Sequence, residues 1–98
     1  MKNNISMKDF YEKYNNEELT ILDVRENHEY AAGYIPSAQN FPLSSLGIEF
    51  TKLDKNQKYY VICQAGGRSA RAYDFLQAQG YTVINVEGGM NSWPGKTK

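Results

Sequence analysis

The apolar run Tyr59-Tyr60-Val61-Ile62-Cys63 breaks into the turn Gln64-Ala65-Gly66-Gly67 and is followed at once by a helix-forming stretch, Ser69 to Gln79, which Gly80 stops. A buried strand feeding directly into a helix is a βα unit, and other segments of the chain repeat the alternation. Leu19 to Val24 and Tyr81 to Val86 read as strands, and Gln39-Asn40-Phe41 as a brief one. Ser6-Met7-Lys8-Asp9 has the spacing of a capping box and opens a helix to about Tyr14. Glu26 to Ala32 suits a short helix ended by Gly33, with Pro36 beyond it. Ser44 to Phe50 suits one helical turn, and Asp54 to Gln57 a polar turn leading to the strand that ends at Cys63. A short turn from Met90 to Trp93 is closed by Pro94, and the lysine-containing tail is expected to fray.

Strands separated by helical pieces favour an α/β fold with a mainly parallel sheet, where ligands bind beyond the carboxyl ends of the strands. Cys63 stands at such an end, and Asp23, Val24 and Arg25 close an earlier strand in the same way. The 98 residues, 1–98, are expected to form one domain, near the lower size limit for a core without disulfides or metal.

Eleven basic residues balance eleven acidic ones, so no global field draws the chain to nucleic acid or an anionic membrane. No apolar stretch approaches the roughly 20 residues of a membrane span, and Met1-Lys2-Asn3-Asn4 leads into no signal-peptide core. One cysteine cannot form an internal disulfide, and one cysteine with one histidine, His28, makes no structural zinc site. These features suit a cytoplasmic protein in a reducing compartment, with no metal and a small or local partner.

Cys63 is the residue with chemistry to offer. Amide N–H groups of a tight glycine turn and of a helix's first residues lack intrahelical partners and converge on one concavity, which attracts an anion. A thiolate is such an anion, and a cysteine there, near an arginine, titrates below its free value. A small apolar residue closing a strand before an ordinary turn is the bland alternative.

The Cys63-x-x-Gly66-x-Arg68 pattern, with Asp23-Val24-Arg25, Gly33-Tyr34-Ile35-Pro36-Ser37-Ala38-Gln39-Asn40 and Glu87-Gly88-Gly89-x-x-x-Trp93, resembles the single-domain rhodanese family over nearly the whole chain. The resemblance implies a rhodanese-like three-layer α/β/α fold with a central, mainly parallel five-stranded sheet. It also implies a sulfurtransferase that carries sulfane sulfur as a persulfide on Cys63 and needs no cofactor. The backbone amides of Gln64, Ala65, Gly66, Gly67, Arg68 and Ser69 would hold the outer sulfur electrostatically. Arg68 matches the family's loop arginine and has two open roles: contacting an anionic donor, or pairing with Asp23 or Glu29 to clamp the loop. Arg25 carries the same ambiguity, and its engagement of Asp23 would leave Arg68 freer to meet substrate. Tyr34 and Ser37 stand where many relatives have histidine and glycine, which bears on the shape of that turn.

His28 reads as a solvated surface residue, Tyr59, Tyr60 and Tyr81 as core, and Trp93 as packing beneath the final loop or lining the site's mouth. Gly88 and Gly89 suit either a second anion nest or a close approach of two loops. Phosphatase and arsenate reductase loops commonly place arginine six residues after the cysteine. Here that residue is Ser69, and Arg68 comes one earlier. A binding or persulfide-sensing module without turnover is the rival from another class. Apart from Arg68 the loop has no charged side chain to meet thiosulfate, so persulfides and polysulfides are the expected donors. With no second cysteine, the acceptor must be external: cyanide, a small thiol or a partner protein's cysteine.

Overall fold

Period-two alternation sorts the strand side chains onto two faces, both buried, as a parallel sheet requires. In the computed structural model, which describes residues 3–98, β2 (Ile21–Asp23), β4 (Lys58–Ile62) and β5 (Thr82–Val86) form the centre of the sheet. Leu22, Val24, Tyr59, Val61, Cys63 and Val83 pack against Leu46 of α3 (Leu43–Glu49) and Ala72, Tyr73 and Leu76 of α4 (Gly67–Ala78). Ile21, Tyr60, Ile62 and Val86 face the other way, onto Phe10 of α1 (Met7–Asn16), with Tyr30 of α2 (Asn27–Ala31) and Trp93 packed alongside. The five strands, with β1 (Asn4–Ile5) and β3 (Gln39–Asn40) at the edges, lie in the order β1-β5-β4-β2-β3, and every pairing is parallel. This is an α/β fold with helices on both faces of the sheet.

From β2 the chain runs outward to β3 and then back across to β4. The reversal opens a crevice beyond the carboxyl ends of β2 and β4, the place such sheets bind ligands. Register brings those ends level: Asp23 pairs with Ile62, and the Val24 amide donates to the Ile62 carbonyl at 2.9 Å. Asp23-Val24-Arg25 and Cys63 therefore share one rim.

Several local features differ from expectation. β1 has only two residues, too few to show a period, and is defined by its pairing with Asn85 and Val86. α3 runs for two turns rather than one and continues into a 3-10 turn, Phe50–Lys52. The tail does not fray: Tyr34 and Lys98 exchange both backbone hydrogen bonds, at 2.9 and 3.3 Å, and Trp93 Nε1 donates to the Lys96 carbonyl. Ser37 takes φ 79°, the left-handed conformation that a glycine would adopt freely and that costs other residues about 1–2 kcal/mol. Tyr34 stacks on Tyr30 with ring centroids 4.2 Å apart.

Candidate active site

Gly66 makes the loop possible. It adopts φ 111° as the N-cap of α4, so the helix begins at Gly67, two residues earlier than the side chains suggest. The chain folds back on itself, and the Gly66 amide donates to Cys63 Sγ at 3.0 Å. Ser69, in the first turn of α4, lies wholly buried with Oγ 3.5 Å from the sulfur, and its hydroxyl donates to the Gly66 carbonyl at 3.1 Å. The sulfur is thus embedded among donors at a helix N-terminus, and Cys63 is only 1% exposed.

Two opposed influences set its ionisation. Burial pushes the thiol up; on ionisation the Ser69 hydroxyl turns its one proton from the Gly66 carbonyl to the sulfur, and that bond, with those from the Ser69, Gly66 and Ala65 amides, stabilises the thiolate and prevails, so Cys63 titrates below an ordinary cysteine. The sequence drew attention to Ser69 for its amide alone; the side chain's part was readable only from a helix start at Gly67. Ser69→Ala removes that hydroxyl, so the pKa is expected to rise. Iodoacetamide alkylation followed against pH should then shift to the alkaline side, slower than wild type near pH 7 and converging with it once both thiols are ionised. An unmoved profile would show that the amides alone hold the charge.

The two arginines are sorted between two carboxylates. Arg25 and Asp23, both buried, pair side by side: Nη2 donates to Oδ2 at 2.7 Å and Nε to Oδ1 at 3.0 Å, while Nη2 also reaches the Gly33 carbonyl at 2.8 Å. Arg68 instead pairs bidentately with Glu29 at 2.5 and 2.8 Å. That guanidinium holds the Glu29 carboxyl down at about 2 against a weaker upward push from burial, with the Glu26 backbone helping. Arg68 is therefore clamped despite Asp23 being taken, because Glu29 sits in the first turn of α2 facing it. Glu26 and Glu29 close a reciprocal capping box at the start of that helix, which fixes where Glu29 stands.

Gly89 explains the second glycine pair. The amides after it are already engaged, Met90 donating to the Cys63 carbonyl at 2.7 Å and Asn91 to the Gln64 carbonyl at 2.9 Å. The Gly88-Gly89 turn is thus a close approach that supports the sulfur loop from behind. Trp93 stays away from the mouth, its ring edge-on to Tyr11 and Tyr14 of α1. Tyr59, Tyr60 and Tyr81 are core, and His28 is exposed. Among the described residues no cluster of three or more His, Cys, Asp or Glu is placed to hold a metal, and no helix is long and apolar enough to cross a membrane.

Comparison with known proteins agrees with this geometry. The family model for the rhodanese-like domain matches residues 6–96. The chain is 43% identical over 82 residues to the Bacillus subtilis (strain 168) protein named "Putative sulfurtransferase YtwF", spanning 84% of this chain and 80% of that one. It is 33% identical over 78 residues to a sulfurtransferase of Allochromatium vinosum, spanning 79% and 73%. A solved rhodanese-related protein of Thermoplasma volcanium superimposes with a TM-score of 0.90 at 37% identity, covering 98% of this chain and 97% of that one. With a family model spanning the sulfur loop and every strand from β2 to β5, this chain belongs to the rhodanese-like family.

Proposed function

We propose that the protein is a sulfurtransferase that carries one sulfane sulfur on Cys63. The observation that carries this reading is the buried sulfur held at the N-terminus of α4, 3.0 Å from the Gly66 amide. In the first step the Cys63 thiolate attacks the outer sulfur of a donor R–S–SH. The donor's S–S bond breaks, R–S⁻ leaves, and the enzyme holds Cys63–S–SH, which loses its proton to give a persulfide anion. In the second step an acceptor thiolate attacks that outer sulfur, and Cys63 leaves as the thiolate it was. No external oxidant or cofactor enters the balance. The same donors that lower the Cys63 pKa make it a good leaving group and stand ready for the persulfide anion.

Persulfides and polysulfides are the donors this loop suits, because the carboxylates of Asp23 and Glu29 already occupy Arg25 and Arg68. The acceptor is a small thiol or a cysteine of a partner protein, in a reducing, cytoplasmic setting. Arg68's five-residue spacing and its pairing with Glu29 leave no free guanidinium for a tetrahedral oxyanion.

Intact mass tests the proposal. Wild type incubated with polysulfide is expected to gain the mass of one sulfur and to lose it to cyanide as thiocyanate; Cys63→Ser should gain nothing. A wild-type thiol that alkylates readily and yet takes sulfur from no donor would point instead to a binding or sensing module.

A further inference from the structure

The hydrogen bonds between Arg25, Gln64 and Asn91 have a direction that chemistry fixes. A guanidinium can only donate, so the Gln64 side-chain oxygen must face Arg25, whose Nη1 lies 3.1 Å away. Gln64 Nε2 then points the other way and donates to Asn91 Oδ1 at 2.7 Å. With its oxygen spent, Asn91 is left with its NH2 group outward. Asn91 is exposed, its own backbone amide is tied to the Gln64 carbonyl, and among the described residues its Nδ2 has no acceptor. The neighbouring cations are already engaged: Arg25 is buried against Asp23, and Arg68 is bound to Glu29.

We propose that Asn91 is a specificity-determining residue of the sulfur-transfer reaction: its outward NH2 is the hydrogen-bond donor that receives the anionic end of the sulfur donor beside the loop. Arg25 sets its polarity through Gln64. The charge of the buried arginine thus reaches the rim as an oriented neutral dipole. Such a group favours a carboxylate-bearing persulfide without demanding a dianion. The inference rests on the carrier reading above.

The test uses three alkyl persulfides of equal length that end in a carboxylate, a hydroxyl or an ammonium, with wild type and Asn91→Asp. The aspartate keeps one oxygen for Gln64 Nε2, so the bridge survives, and it turns a carboxylate outward in place of the NH2. The kcat/KM ratio of carboxylate to hydroxyl donor is expected to fall on the order of tenfold, a hydrogen bond to a charged group being replaced by a like charge. The fall should lie mainly in KM, with the ammonium donor favoured in its place. Gln64→Met, which frees Asn91 to turn, should lose part of the wild-type preference. If Asn91→Asp melts like wild type and gains sulfur normally but leaves the ratio unmoved, this proposal is overturned and the carrier reading stands. If wild type takes sulfur from polysulfide but from none of the three, this proposal alone is overturned; if it takes none from polysulfide either, both fall together.

Discussion

Asp23→Ala is expected to lower stability by about 3–5 kcal/mol, since removing one partner of a buried ion pair strands the other charge. Arg25 is 4% exposed and Asp23 fully buried, so water cannot take over the lost contacts. Asp23 accepts from the Arg25 backbone amide as well as from Nε and Nη2, so the carboxylate also fixes the turn by which the chain leaves β2. For a domain of this size the loss corresponds to a fall in melting temperature of more than about 10 °C. The double variant Asp23→Leu with Arg25→Met should regain much of it, because an apolar pair of similar volume avoids the desolvation cost. That variant separates two roles. It restores the packing but leaves Gln64 without its anchor, so melting temperature should recover while donor preference does not. An Asp23→Ala protein that melts within about 1 kcal/mol of wild type would mean that the pair is not what holds this rim.

The pairing of Asp23 with Arg25 was within reach of the sequence. The two residues are separated by one position at the end of a strand, so their side chains leave on the same face. Taking Asp23 out of contention would have left Glu29 for Arg68. The Cys63 loop was legible for a different reason: an apolar run, a glycine doublet and a helical stretch occur in unbroken succession, and each restricts the next. What could not be read depends on contacts between segments far apart in the chain. β1 is two residues long and acquires its identity only from β5. The link from Gln64 to Asn91 spans 27 positions and needs the ends of β4 and β5 side by side. Lys98 belongs to a polar tail whose composition signals fraying, yet it is held through its backbone, which composition does not report.

Gly89 shows how closely stability and chemistry are joined at this site. It adopts φ 60°, and a Cβ there would collide with the Cys63 carbonyl oxygen and lie 2.6 Å from that of Gln64. Neither oxygen can yield cheaply, since each already accepts a hydrogen bond from the turn that follows Gly89. Gly89→Ala should therefore cost more than about 3 kcal/mol, combining backbone strain with a clash against main chain. Relief would have to come from displacing the two carbonyls, which moves Cys63 off the N-terminus of α4. Sulfur loading should consequently fail even at temperatures where the variant remains folded. Gly67→Ala provides the contrast: nothing lies within 4 Å of a Cβ at that position, which is already helical, so the change should be neutral or slightly stabilising and should load sulfur normally. Thermal melts and intact-mass loading of the two variants side by side decide the matter. Equal behaviour would show that the loop tolerates a side chain behind it, and that support from the Gly89 turn is not what keeps the sulfur in place.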